Sequence, residues 1–446
     1  MQTVQTLDAP RHDAADVDAR LRNLAQGAVA SGVAPGIGLA LHWQGEATVG
    51  AAGYAVAPGQ RPLGASHRFP IGCIVKPLLA LVCAELHERA AFDLEAPIEA
   101  YLPELGKTGI TAAHLLSSTG GYVESDFGSG ARLDWTGLAE RFIHRRQAFR
   151  PGQVFSYTQS GHVIVGRIVE RLTGRDALAL IDEMILRPLD MAPVSFHDPS
   201  AAARLVRAHL RTGDRWTPFM PGETPLWRLS ISPMSLDVAD LLKLARLLGG
   251  DLLPPAISPA AYKRFAAPRV TVPVPSGGPL RERTPQAVGL GLLRYGRLCG
   301  HNGSYVGASC TLRFDPQTGT GLATAANARH TSNLNSRLFE ELTGETGFDT
   351  PVGAALDVDI DRLEGEYQAL MIGFGRATLK REGDELCCRF ESPLAGRSEA
   401  RLWRTSDGRL KGRAADPSAA FAIAPDPETG QPYLRSGVVA YARVAP

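Results

Sequence analysis

The sequence predicts a mixed α/β (α+β) fold: one sheet built from two separated stretches, a helical lobe inserted between them, and a small all-β unit at the C-terminal end. Three observations predict it. Strand patterning occupies residues 37–50 and returns at 289–325, so both ends of this segment can complete one sheet. Between them, residues 110–250 read as mostly helical, broken at Gly120, Gly121, Pro151, Gly152 and Gly174. After Gly344 the chain turns to short alternating runs, with hairpin signals at Gly383-Asp384 and Asp407-Gly408.

Taken in order, residues 15–31 carry helical periodicity, with Leu21, Leu24, Ala25 and Val29 as the apolar stripe and Gly32 as the C-cap. Residues 37–43 and 46–50 read as strands around a tight turn containing Gly45. A strong helix spans 73–90, where Leu78, Leu79, Leu81, Val82 and Leu86 make a wide apolar face. Residues 236–248 (LDVADLLKLARLL) are the clearest helix of the insert. Strands follow at 289–294, 309–314 and 319–325, and 332–342 closes the unit as a helix. The expected division is one unit over 1–345 with its helical lobe at about 85–250, a linker at 346–359 containing Gly347, Pro351 and Gly353, and an antiparallel barrel or sandwich over 360–446. Clefts beside such lobes are frequent ligand sites.

Composition narrows the function classes. The 446 residues carry 47 basic and 46 acidic side chains, so a net charge of +1 favours neither nucleic acid nor an anionic membrane as partner. Apolar content of 44% is that of a folded chain. Six cysteines, at 73, 83, 299, 310, 387 and 388, are too few and too scattered for a disulfide framework. None forms a C-x-x-C pair, and the adjacent Cys387-Cys388 point to opposite faces of a strand, so no metal site is expected. Residues 1–18 are polar without an apolar core, and no run approaches a membrane span. A soluble, cytoplasmic protein is the expectation. Lysine is rare, only six among the basic residues, which makes each one worth weighing.

Cys73 and Lys76 open the strong helix, three positions apart. That spacing brings a thiol and an amine together at a helix N-terminus, where both dipole and ammonium favour a thiolate. A nucleophile beside a base or cation is the recipe for covalent catalysis. Those residues alone are better described as a small buried thiol and a surface lysine. Two look-alikes fail: Gly106-Lys107-Thr108 lacks the glycine a phosphate loop needs at position 101, and Gly36-Ile37-Gly38 opens a strand, not a helix.

Further segments change the weighing. Ser117 to Gly121 follows a helix-like run, residues 149–161 (FRPGQVFSYTQSG) precede another helix, and 300–307 (GHNGSYVG) sit between strands. Together they resemble the serine β-lactamase and penicillin-binding-protein superfamily, above all its class C β-lactamase-like esterases, D-aminopeptidases and peptide-cyclising acyltransferases, the penicillin-binding-protein-type thioesterases among them. The S-x-x-K, Y-x-N and K/H-x-G motifs of that superfamily occur in order as Cys73–Lys76, Tyr157–Gln159 and His301–Gly303. Residues 69–72 (FPIG), 94–98 (LEAPI), 101–104 (YLPE) and 188–191 (PLDM) extend the match, which covers residues 20–345. The tail from 360 resembles the lipocalin-like barrel appended to many members.

The resemblance implies the β-lactamase/transpeptidase-like fold, an antiparallel sheet flanked by helices plus a helical lobe. It implies roles as well. Cys73 attacks an acyl carbonyl, and Lys76 takes the proton or sustains the thiolate. Tyr157 protonates the leaving group, and the backbone N–H groups of Cys73 and Ser304 form the oxyanion hole. His301 lines the facing strand, while Gln159, Asn302 and Gly303 meet substrate. Two departures stand out. Cysteine replaces the family's serine, leaving open a native nucleophile, an introduced acyl trap or a degenerate site; retention of Lys76, Tyr157 and His301 favours the first. Gln159 replaces asparagine, and its extra methylene weakens the case for β-lactam and D-Ala-D-Ala recognition. His114, His162, Trp227 and Tyr122 fall nearby, and for each a packing role is the stronger reading.

The leading expectation is an acyltransferase that forms an acyl-enzyme on Cys73 and passes the group to an amine or alcohol, in peptide or polyketide natural-product biosynthesis. The alternatives are a hydrolase of small esters or D-amino-acid peptides and an inactive binding protein. No cofactor is called for. The expected partner is a small ester, thioester or peptide, free or presented on a carrier protein, with no nucleic acid and no membrane.

Overall fold

The computed structural model describes residues 14–56, 59–124, 134–213, 215–222, 225–273, 284–329, 341, 360–392, 396–404, 410–414 and 422–444. Apart from Glu341, the helix expected over 332–342 lies outside the described residues, as do the linker at 346–359 and the Asp407-Gly408 turn.

The sheet begins with β1 (Gly36–Trp43), an apolar run buried over its first six residues, as befits a central strand. Gln44 and Gly45, at φ 51° and 85°, make the two-residue turn whose twist suits a hairpin, and β2 (Glu46–Gly53) returns along β1. Helix α1 (Ala14–Ala30) lies over this pair with Leu21 and Ala25 fully buried. The chain then runs through β3 (Phe69–Gly72) and α2 (Val75–Glu88) into a lobe of α3 (Ala112–Leu116), α4 (Trp135–Ile143), α5 (Ser160–Thr173) and α6 (Ala177–Ile181). The insert, expected to be mostly helical, also contains β4 (Val194–Ser195), the hairpin β5 (Ala208–Thr212) and β6 (Arg215–Phe219), and β7 (Ser232–Leu236). Strand β7 pairs antiparallel with β3, setting Phe69 opposite Leu236.

Helix α7 (Val238–Gly249) starts where Asp237 accepts the Asp240 amide and stops at Gly250, φ 82°; α8 (Pro259–Ala266) follows. Six strands complete the sheet: β8 (Val270–Thr271), β9 (Ala287–Val288), β10 (Leu293–Tyr295), β11 (Leu298–Tyr305), β12 (Ala308–Asp315) and β13 (Thr320–Ala326). Their order, β2-β1-β13-β12-β11-β10-β9-β8, puts β13 beside β1 with Ile37 opposite Ala326. The two stretches therefore meet in one antiparallel sheet. Ile37, Leu39 and Leu41 pack with α1 on one face, and Ala40, Cys310 and Leu312 join the core of α2 and α7 on the other.

The C-terminal region is a meander of β14 (Gly365–Ala369), β15 (Arg376–Glu382), β16 (Glu385–Ser392), β17 (Gly396–Arg404), β18 (Leu410–Ala414), β19 (Ala422–Pro425), β20 (Pro432–Ser436) and β21 (Val439–Arg443). First and last strands pair, so one ladder of eight strands runs from β19 through β21 and β14 to β18, a barrel left open between β18 and β19 among the described residues. Tyr367, Leu379, Cys388, Phe390, Leu434 and Tyr441 share its core. A further apolar cluster joins the barrel's Leu370, Ala424, Tyr433 and Ala440 to Phe149 and Val154. All six cysteines are free and buried. Among the described residues no helix is long and apolar enough to cross a membrane.

Candidate active site

Cys73 stands where β3 turns into α2, with the edge of β11 beside it. The approach is so close that a Cβ on Gly72 would lie 2.4 Å from the Ser304 carbonyl oxygen, and one on Gly303 would lie 2.0 Å from that of Ile71. Gly72 also takes φ 53°, a left-handed conformation that suits glycine. Helix α2 starts two residues later than the sequence suggests: Ile74 is its N-cap and Cys73 lies in the preceding turn. The Lys76 amide still donates to the Cys73 carbonyl at 3.1 Å, so a single turn spans thiol and amine.

Lys76 is fully buried, which removes the surface reading. Its Nζ donates to Gln159 Oε1 at 2.7 Å and to the Ser230 carbonyl at 2.6 Å, and sits 4.5 Å from the centre of the Tyr157 ring. Burial pulls its pKa down; the Cys73 sulfur and the Glu124 carboxylate oppose that by favouring the ammonium. The Tyr157 hydroxyl is buried facing Cys73 without a well-aligned hydrogen bond. Burial, reinforced by the thiol, pushes this phenol well above its usual range. His301 packs 5.9 Å from the Tyr157 ring centre, and its Nδ1 donates to the Asn302 carbonyl at 2.7 Å, leaving Nε2 bare. Burial, with Lys76 close by, pushes His301 down to about 3, so the ring is neutral at ordinary pH.

The two-residue turn after Tyr305 sets it opposite Ala308, so ladder bonds alternate from there. Tyr305, Gly303 and His301 bond toward β12, while Ser304 and Asn302 turn their N–H groups to the open edge beside Cys73. Asn302 differs from expectation. Alternation puts its side chain on the face opposite His301, where Arg313 Nη1 donates to Asn302 Oδ1 at 2.9 Å. Only its backbone is presented to the cleft. Gln159, expected to touch substrate, spends its side-chain oxygen on Lys76 instead.

Helix α5 carries Gln159 as its N-cap residue, and the first amides of that helix end on a carboxylate that sequence reasoning missed. Glu124 Oε1 accepts from Gln159 N at 2.8 Å and from Ser160 N and Oγ, each at 2.6 Å. Ser230, whose contribution is a backbone carbonyl, was missed too and left no mark in the sequence. Of the nearby residues, Tyr122 is core and donates to Ser160 Oγ, and His114 caps α3 together with Thr111. Trp227 is half-buried against the helical core. His162 is fully buried with both ring nitrogens unpartnered, its pKa held well below the usual value by burial and by Lys76 and His301.

The beta-lactamase family model matches residues 21–342. This chain belongs to the beta-lactamase family. Among curated relatives, Esterase EstB of Burkholderia gladioli is 28% identical over 169 residues, which is 33% of this chain and 43% of the esterase. The match thus spans less than half of that relative. Penicillin-binding protein 4 of Amycolatopsis lactamdurans is 27% identical over 334 residues, 67% of this chain and 84% of the relative. Among solved structures, SurE superposes with a TM-score of 0.73 at 24% identity, covering 96% of this chain and 98% of SurE. A structure of SurE with D-Leu gives 0.71, also at 24% identity, with 96% and 99% covered. At that identity the likeness is one of fold, and it extends through the C-terminal barrel.

Proposed function

We propose that this member of the family is an acyl-transfer enzyme that forms a covalent acyl-enzyme on Cys73 and hands the acyl group to an amine or alcohol in natural-product biosynthesis. The observation that carries the reading is the buried Lys76 amine, held by Gln159 and Ser230 against Tyr157 and the Cys73 thiol. A lysine kept out of water is a lysine whose neutral form is accessible, as a base requires. In the proposed acylation Cys73 Sγ bonds to the carbonyl carbon while the thiol proton passes to Lys76. The amides of Cys73 and Ser304 hold the resulting oxyanion, contributing about 3 kcal/mol per donor. Collapse breaks the bond to the leaving group, which takes a proton relayed through Lys76 or Tyr157. Attack by the acceptor then breaks the C–S bond and restores the thiol.

Esterase and penicillin-binding-protein relatives support acyl chemistry in general, and the structure of SurE with D-Leu, a neighbour in fold, makes a D-amino acid a reasonable probe. A thioester donor, free or on a carrier protein, suits a thiol nucleophile because exchange between thioesters is nearly isoenergetic. The test is intact mass after incubation with an N-acetylcysteamine thioester of a short peptide ending in D-Leu. The expected result is a stable adduct on Cys73 that turns over when an amine or alcohol is supplied. Esterase EstB favours a second reading, hydrolysis, for which the adduct releases free acid without an acceptor. No adduct with any activated thioester or ester overturns both and leaves a binding protein.

A further inference from the structure

Behind Lys76 the cleft wall is made by three pieces of chain that meet on Glu124. Its Oε1 takes the Gln159 amide and both Ser160 donors, and its Oε2 takes the amide of Ile372, from the barrel, at 3.2 Å. The Glu124 amide in turn donates to the Leu370 carbonyl at 2.8 Å. We propose that Glu124 is a positioning residue that fixes Lys76 through Gln159, and that the C-terminal barrel completes it through Leu370 and Ile372. This rests on the reading of Cys73 and Lys76 given above.

The argument starts from Gln159. A glutamine side chain has one more rotatable bond than asparagine, so holding its oxygen on Lys76 requires a fixed backbone. The Gln159 and Ser160 amides are the unpaired N–H groups at the start of α5, and Glu124 fixes both with one oxygen. A neutral amide side chain would cap that helix with less desolvation. A carboxylate gains where an opposite charge is near, and the Lys76 ammonium is that charge: burial raises Glu124 and lowers Lys76, and Glu124 supports the protonated lysine. The remaining side of the segment is held by the barrel as well, through Tyr157 N to the Val438 carbonyl at 2.9 Å and Ala440 N to Ser156 Oγ at 3.1 Å. Glu124 therefore sits where barrel docking and lysine placement are one arrangement.

Glu124→Gln keeps the shape and removes the charge. For transfer from the N-acetylcysteamine thioester, kcat is expected to fall about tenfold or more with KM within about threefold of wild type, since the loss lies in orientation and not in substrate contact. Ser160→Ala, which removes one donor and serves if Glu124→Gln does not fold, lowers kcat by about threefold at unchanged KM. Glu428→Gln, which breaks the exposed Arg150–Glu428 ion pair between barrel and lobe, leaves kcat unchanged. Wild-type kcat in Glu124→Gln, or a loss confined to KM, overturns the proposal. If the wild type takes no acyl group, the reading of the site fails, and Glu124 is judged by the rate at which iodoacetamide alkylates Cys73. A rate at least about threefold lower in Glu124→Gln upholds the positioning role. Equal rates end it.

Discussion

At the scale of single residues the site is organised around one buried amine. Lys76→Met is expected to lower the rate of Cys73 acylation by about 10²–10⁴-fold, the usual worth of a proton-transfer group, with the thermal midpoint little changed. Because burial lowers the Lys76 pKa, its amine form grows in as pH rises, and the acylation rate should climb and level off below the ordinary lysine range; Lys76→Met should lose that rise. Cys73→Ser should not exceed the wild-type turnover, and a large gain would show that the site was built for serine. His301 bears on stability. Its folded pKa of about 3 lies below the unfolded value near 6.5, so between those limits the unfolded chain binds the extra proton. Stability is then complete above pH 6.5 and falls toward pH 3, by at most about 1.4 kcal/mol per pH unit from this group. Urea unfolding across that window should show a shallower acid slope in His301→Asn, and an unchanged slope would contradict the assignment. Much of this was legible because Cys73, Lys76, Tyr157 and His301 carry their chemistry in their side chains. Ser230 was not, since a carbonyl oxygen has no letter in the sequence.

At the scale of elements, the site depends on β3 and β11 touching without side chains between them. Gly303→Ala would place a methyl 2.0 Å from the Ile71 carbonyl oxygen, and only backbone movement could relieve it. We expect a destabilisation of more than about 2 kcal/mol by thermal or urea unfolding, with loss of acylation even where the chain still folds. Alanine tolerated at full activity would show that the two strands are not held so closely. The same scale explains which elements could be read in advance. Helix α7 announces itself through the apolar periodicity of residues 236–248, and β12 and β13 through the strand patterning at 309–314 and 319–325, which the structure buries throughout. Strands β5 and β6 form a largely exposed hairpin around Gly213, φ 58°, with no apolar alternation to mark them in a stretch read as helical. Glu124 was invisible for a related reason: its partners Gln159 and Ile372 lie 35 and 248 residues away, and only the assembled fold brings them together.

At the scale of the whole molecule, the barrel is a wall of the site and not an appendage. The run that ends in Tyr157 is bonded on one side to the helical lobe, Ser156 N to the Ser118 carbonyl, and on the other to the barrel, Tyr157 N to the Val438 carbonyl. Arg435 of β20, fully buried, reaches across to the Phe155 carbonyl and lies over the Phe155 and Tyr433 rings. The alternating strands of the barrel could be read from sequence; this seam could not, because it is mostly backbone meeting backbone. Such a seam has a consequence for dynamics, since an amide bonded across it exchanges only when the seam opens. Peptides covering 153–159 and 434–441 should therefore take up deuterium with one opening rate in native-state hydrogen exchange. Arg435→Met, which keeps the bulk and removes the link to Phe155, should speed both together. If 434–441 exchanged at least about tenfold faster while 153–159 stayed protected, the barrel would be moving independently of Tyr157. The tyrosine would then owe its place to the helical lobe alone.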